Sequence, residues 1–386
     1  MHLILMPGMP YKIMSIVTRK LEGVNHFHYY LCRQLKGGGM EIFMSNVTIK
    51  DVAKQANVSI ATVSRVLNKN YFVSPELEKK VMDAIKELDY YPNSVARSLK
   101  NESTQTIGLI VSDISNSFFT FVNRSVENVL KKYNYNLIVC STDNQPEKEL
   151  SYLKLLLEKK VDGIVLNTTG SNREFIASVS HQIPFVLCGR KVMSPNFIGD
   201  FVDSDNTTGS YLLTRYMIEQ GHKKIGIING QQSVSSGIER MEGFRRAMES
   251  AGIVIDEQYP YQYYGDYNCS DSGYEGAEYL FSLEDAPTAV LAMNNELAVG
   301  ALRYLHSHSF QIPEDISFAC YGNILNVDLF YVQPHYIDMD PRIIGTKVGE
   351  LLIERIEHKN ELPNREILFA PTLIEGNSVK PLSASS

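Results

Sequence analysis

From Ile107 onward the chain alternates two patterns, and that alternation limits the folds open to it. Short apolar runs recur: IGLIV (107–111), NLIVC (136–140), GIVLN (163–167), FVLC (185–188), IGIIN (225–229), AVLAM (289–293) and ISFAC (316–320). Between them lie longer stretches with one apolar face, such as EKELSYLKLLLEKK and TGSYLLTRYMIEQ. An apolar run of four or five residues is a strand buried on both faces, and a helix after it returns the chain to lay the next strand parallel. Repeated units of this kind imply parallel sheets with helices on both sides. About 280 residues is long for one such sheet and comfortable for two lobes. Ligands of such sheets sit at the carboxyl ends of the strands, so the loops there are the candidate site.

The segment before this body reads differently. In TIKDVAKQANVSIATVSRVLN (48–68), Ile49, Val52, Ala53 and Ala56 share one helix face. Thr48 is placed to cap that helix, with Asp51 three residues on as a weaker capping box. Asn57-Val58-Ser59 makes a turn, and Ser59 can cap a second helix. That helix has Val63, Val66 and Leu67 inside and Ile60, Ala61, Ser64 and Arg65 outside. Two helices on so short a turn fit a helix-turn-helix, whose second helix meets base edges in the major groove. Small apolar side chains touch thymine methyls and an arginine grips guanine, which gives the outward Ile60, Ala61 and Arg65 a use. By pattern alone, a plain helical hairpin with ordinary exposed residues is nearly as good a reading.

Charge supports the DNA reading. The whole chain carries a formal net charge of −7, yet residues 44–102 hold nine Lys/Arg against seven Asp/Glu. Residues 103–386 hold 23 against 35, and the stretch 48–70 has four basic residues and one acid. A basic head on an acidic body suits a local contact with nucleic acid. No apolar run reaches membrane-spanning length, so no membrane partner is expected. The five cysteines form no CxxC pair and read as reduced core thiols of a cytoplasmic protein. His306 and His308, two apart, point to different helix faces; neither a metal nor a cofactor is called for.

A third helix starts at Ser74-Pro75-Glu76, with Leu77, Val81, Ala84, Ile85 and Leu88 as its core stripe and a break at Pro92. Ser94–Lys100, with Val95 and Leu99 four apart, is too short to be a stable helix alone, and NESTQT (101–106) is a polar linker. A helix of this kind folds only when docked on DNA and a partner copy. Taken together, TIKDVAKQANVS, ATVSRVLN, the VSPE start, YYPNSVARSLK and TIGLIV resemble the LacI/GalR family of bacterial transcription regulators. The likeness continues to about residue 380.

The resemblance implies an α/β fold: an N-terminal all-α helix-turn-helix head, a hinge helix, and a two-lobed periplasmic-binding-protein-like (Rossmann-like) effector domain. In it, Ile60, Ala61 and Arg65 read bases, and Thr48, Ser59, Thr62, Ser64 and Asn68 lie near phosphates. The hinge residues Asn93, Ser94, Ala96, Arg97, Leu99 and Lys100 also meet DNA, with Leu99 wedged into the minor groove, where unstacking costs a few kcal/mol. Phe118 and Phe119 fall in the loop after the first strand, which the family uses for effector and lobe contacts. Arg190, Ser236, Arg240, Tyr267 and Asn294 fall at further effector positions. For the aromatic residues, core packing is nearly as good a reading. The family usually has Asn-Asp where this chain has Asn294-Asn295. Many sugar-binding relatives also place an Asp at the positions of Gly189 and Gly322. Losing both carboxylates while keeping Arg190 and Arg240 makes the cleft more positive. The expected effector is therefore anionic, a sugar acid or sugar phosphate, since an arginine fork fits such groups; the runner-up is a neutral sugar.

The expected organisation follows. Residues 1–43 read as a non-native or disordered extension, because Lys36-Gly-Gly-Gly before Met40 and Met44 has the look of a translated ribosome-binding site. Residues 44–92 form the DNA-binding domain, 93–106 the hinge helix and linker, 107–380 the effector and dimerisation domain, and 381–386 a tail. A homodimer would set two heads on a pseudo-palindromic operator and repress transcription, with operator affinity coupled to the effector. Two other classes compete. An exported sugar-binding protein of a transport system leaves 48–100 unexplained and lacks a credible signal peptide. An enzyme finds no support in GxGxxG, Walker, Ser–His–Asp or zinc patterns.

Overall fold

The computed structural model describes residues 47–68, 72–90, 103–256, 258–265, 270–358 and 360–382. The expected extension (1–43), the hinge helix with Asn93, Ser94, Ala96, Arg97, Leu99 and Lys100, and Tyr267 lie outside the described residues. The chain divides into two units, one ending at Pro92 and one beginning at Asn93.

The first unit is three helices: α1 (Ile49–Gln55), α2 (Ile60–Asn68) and α3 (Pro75–Glu87). Asp51 accepts hydrogen bonds from the Thr48 backbone N–H (2.8 Å) and hydroxyl (2.7 Å), which closes the start of α1. Asn57 turns the chain with φ 50°, a left-handed conformation that asparagine tolerates better than most residues. Val52, Ala53, Ala56, Val63, Val66, Val81, Ala84 and Tyr90 form the core, with Ile85 and Leu88 against it. Two expectations for α3 need correction. Leu77 is exposed, because the first turn lies beyond that core cluster. The helix also stops before Pro92, at Glu87, where Asp89 adopts φ 49° and ends the ladder. Ser74 holds the N-cap backbone position without a side-chain cap bond.

The second unit holds two six-stranded sheets. Sheet A runs β11-β5-β4-β3-β1-β2 and sheet B runs β12-β10-β9-β8-β6-β7. In sheet A are β1 (Thr106–Val111), β2 (Asn136–Ser141), β3 (Gly163–Leu166), β4 (Phe185–Cys188), β5 (Asp200–Ser204) and β11 (Glu366–Phe369), all parallel. In sheet B, β6 (Ile225–Asn229), β7 (Gln262–Tyr264), β8 (Ala289–Ala292), β9 (Ser317–Tyr321) and β10 (His335–Asp338) are parallel. β12 (Thr372–Ile374) closes the edge antiparallel to β10. The chain passes between the sheets after β5, after β10 and after β11.

Helices cover both faces of each sheet. Alternation along β1 sends Ile107, Leu109 and Val111 to one side of sheet A. There they meet α4 (Ser117–Lys132) and the helix that closes the lobe, α11 (Pro341–Glu357). Ile110 points the other way, into the layer of α5 (Pro146–Glu158) and α6 (Arg173–Ser180). Sheet B is covered by α7 (Asn206–Glu219) and α8 (Ser235–Ser250) on one side. Its other side carries α9 (Ser270–Ser282) and α10 (Asn295–Ser307). Asp200 on β5 is fully buried and paired with Arg355 of α11 (2.6 Å) and Arg365 beside β11 (2.8 Å). Those pairs pin the returning strand to its sheet. Cys140, Cys188 and Cys320 are buried and free.

Candidate functional site

The head presents one surface. In α2, Ser59 Oγ accepts the Thr62 N–H at 3.1 Å and so caps the helix. Val63 and Val66 are buried, while Ile60, Ala61 and Arg65 are exposed on the opposite face and Thr62 and Ser64 flank it. Thr48 is exposed at the start of α1; nothing describes the Asn68 side chain. Ile60 is 45% exposed, which leaves apolar surface available to a thymine methyl.

The body holds a cavity between the carboxyl ends of the two sheets. Sheet A and its helices supply Ser112, Asn116, Phe118, Phe119, Asn167, Gly189, Arg190 and Asp203. Sheet B and its helices supply Ser236, Arg240, Asn294 and Asn295, and Met339 comes from the second crossover. Of the residues expected from sequence, Phe118, Phe119, Arg190, Ser236, Arg240 and Asn294 all line it.

Each lining group is held in place. Arg240, on α8, donates from Nε to Asn206 Oδ1 (2.9 Å) and from Nη1 to the Met293 carbonyl (2.6 Å), and its guanidinium lies 4.1 Å over the Tyr321 ring. Arg190 donates to Asn144 Oδ1 (2.8 Å) and to the Thr168 carbonyl (3.1 Å). Phe118 and Phe119 meet edge to face, centroids 5.2 Å apart. Asn294 Oδ1 caps α10 through the Leu297 N–H (2.7 Å), and Asn116 Oδ1 caps α4 through the Phe118 N–H (2.9 Å). Two buried polar atoms of the wall, Ser112 Oγ and Asn167 Oδ1, have no protein partner. Buried polar atoms left so are costly, and a polar ligand would satisfy them.

Three features of the cleft escape the sequence. One is Asp203, on β5, whose carboxylate restores negative charge to the wall. Burial pushes its carboxyl up to about 6, against the pull of neighbouring Arg240. Its Oδ2 accepts from Asn206 Nδ2 at 2.8 Å. The second concerns the two glycines. Gly189 (φ 74°) does line the cavity, but Gly322 (φ 92°) lines a neighbouring cavity instead, with Leu325, Asp338 and Arg342. At both positions the backbone is left-handed, which explains glycine where a side chain would be strained. The expected gain of positive charge is therefore smaller than two lost carboxylates suggest. The third is a pairing across the cleft. Asn295 Nδ2 donates to Asn116 Oδ1 (3.0 Å) and Asn116 Nδ2 donates to Asn295 Oδ1 (3.3 Å). Nearby, Lys191 bridges Glu239 (2.9 Å) and Glu366 (2.8 Å).

Comparison with known proteins bears on both sites. Residues 104–373 match the family described as periplasmic binding proteins and sugar binding domain of the LacI family, and residues 48–93 match the bacterial regulatory proteins, lacI family. The chain belongs to the LacI family. As a LacI-family protein it is a DNA-binding transcriptional repressor regulated by a small-molecule effector, and its relatives are repressors rather than enzymes. The HTH-type transcriptional repressor PurR of Haemophilus influenzae (strain PittEE) is 38% identical over 341 residues, covering 87% of this chain and 99% of that protein. The solved complex of the transcriptional regulator CelR with cellobiose is 27% identical, with a TM-score of 0.64, over 86% of this chain and all of that one. The lac repressor dimer bound to operator and an anti-inducer shares the fold, with a TM-score of 0.74 at 22% identity over 86% of this chain and 99% of that one.

Proposed function

We propose that this LacI-family repressor binds a pseudo-palindromic operator as a homodimer, reading bases with Ile60, Ala61 and Arg65 of α2. We further propose that its effector is a compact, ring-bearing polar molecule held in the interlobe cavity, in first place a sugar acid. The observation that carries the effector reading is the wall itself: two fixed arginines, 190 and 240, beside the unpartnered Ser112 Oγ and Asn167 Oδ1. An acidic group suits an arginine fork, and ring hydroxyls suit the orphaned atoms. Asp203 disfavours a ligand that is charge alone and favours one that also donates hydrogen bonds. The sugar part of the reading draws support from the CelR–cellobiose complex.

A second reading has its own support. Relatives bear the name PurR, which suggests a purine-type effector. Phe118 and Phe119 offer aromatic surface to a flat heterocycle, whose edge also carries donors and acceptors.

The test takes a selected operator fragment and measures binding by fluorescence anisotropy at two salt concentrations. D-gluconate, ribose and hypoxanthine are added in turn. Specific binding that weakens steeply with salt, and shifts with one of these ligands, is the expected result. Equal affinity for any DNA sequence would end the reading.

A further inference from the structure

We propose that Asp203 selects the effector, accepting a hydrogen bond from a hydroxyl or amino group on the same ligand whose acceptor group Arg240 receives. The proposal rests on the interlobe cavity being the effector site, and it narrows the ligand to a donor-bearing acid or heterocycle rather than a simple anion.

The geometry is specific. One amide, Asn206, joins the two charged residues: its Oδ1 accepts from Arg240 Nε (2.9 Å) while its Nδ2 donates to Asp203 Oδ2 (2.8 Å). The same Nδ2 also lies 3.0 Å from Glu239 Oε2. A cationic donor and an anionic acceptor therefore stand one amide apart on a single wall. Asp203 is the last residue but one of β5, at the carboxyl end of the sheet, with its backbone paired to Leu368 of β11. It is 2% exposed and lines the cavity. A carboxylate offers about four lone-pair sites, more than the Asn206 amide and the Ser204 backbone N–H use. Burying it with capacity to spare is costly unless a further donor completes it. An isolated sulfate brings no donor and is repelled by Asp203. A hydroxy acid brings its carboxylate to Arg240 and a hydroxyl to Asp203; a purine-type edge does the same with its ring carbonyl and N–H.

The groups facing Asp203 from each packed element are Arg240 and Glu239 on α8, Asn206 on α7, Cys188 on β4 and Tyr321 on β9; Arg190 faces the cavity from the loop after β4. Burial raises the Asp203 carboxyl to about 6. Its charged form is the acceptor, so ligand affinity falls as pH drops through that range.

The experiment is calorimetric titration of the full chain and of Asp203→Asn with D-gluconate, ribose, hypoxanthine and inorganic sulfate, at about pH 8 and about pH 5. The asparagine keeps the shape and the contact with Asn206, and operator binding without ligand checks that the variant is folded. Expected is that the ligand bound by the parent carries a donor, and that Asp203→Asn weakens it by about tenfold or more at the higher pH. The parent should lose affinity at the lower pH and the variant should not. Equal affinity of parent and variant for that ligand, or matching pH profiles, overturns the role of Asp203 and leaves the effector cavity standing. Sulfate binding as tightly as any donor-bearing ligand also overturns it. No binding by any of the four ends the effector reading and this inference together.

Discussion

At the residue scale, two side chains make opposite demands on the same chain. Arg65 is exposed on the outward face of α2, so its substitution is aimed at recognition, with the melting temperature as the check that the fold is unchanged. Arg65→Ala is expected to weaken operator binding by about 1–3 kcal/mol and to relax preference at one base pair, measured by anisotropy against a panel of single-base operator variants. Unchanged discrimination at every position would remove Arg65 from the reading surface. Asp203 is the reverse case, buried at a cost. Its carboxyl is raised to about 6 in the folded chain, above the value of about 4 in an unfolded one. Between those values the folded state binds more protons, so the stability linked to this group is full below pH about 4 and lost as pH rises through about 6. Asp203→Asn should therefore raise the melting temperature near pH 8, by an amount equivalent to about 1–3 kcal/mol, and change it little near pH 4. A variant that is less stable than the parent at the higher pH contradicts the assignment.

At the scale of elements, local patterns decided where helices and strands form, and long-range contacts decided which polar ones could be buried. The seven apolar runs each became a strand. β5 was not legible, because DFVDS holds two aspartates and no run, yet all five residues are buried. Its Asp200 survives there because Arg355 and Arg365 lie 155 and 165 residues away in sequence and meet it in space. Removing one partner strands a buried charge. Arg355→Ala is expected to cost about 3–5 kcal/mol, read from the urea midpoint of the second unit. A loss below about 1 kcal/mol would show that Arg365 alone suffices. Leu77 shows the complementary failure: its spacing fits the stripe of α3, but the first turn overhangs a small core.

For the molecule as a repressor, what matters is how effector and operator bias each other through the two lobes. Asn116 and Asn295 exchange amide hydrogen bonds across the cleft, so this arrangement of the lobes has a contact of its own, independent of ligand. Asn295→Ala removes it and leaves the cap from Asn116 to α4 intact. The expected outcome is a changed ratio of operator affinities with and without effector, within the usual coupling of about 1–3 kcal/mol, while operator binding by the head keeps its salt slope. An unchanged ratio would make the pair a packing detail. By reciprocity, the same variant should shift effector affinity by the same factor when operator is present.

Periodicity and short motifs determined the class of the fold and the helical head with its outward Ile60, Ala61 and Arg65, and the LacI/GalR resemblance carried by the sequence supplied six cavity residues from Phe118 to Asn294. Those features are local: a helix face, a strand run or a loop after a strand is written within a few residues of itself. The make-up of the cleft was decided only by the folded chain. Asp203 enters it from a strand without an apolar run, Gly322 turns out to face another cavity, and Asn116 finds Asn295 across 179 residues. A wall assembled from the ends of many strands depends on how sheets stack and where the chain crosses between them, and no stretch of sequence carries that geometry by itself.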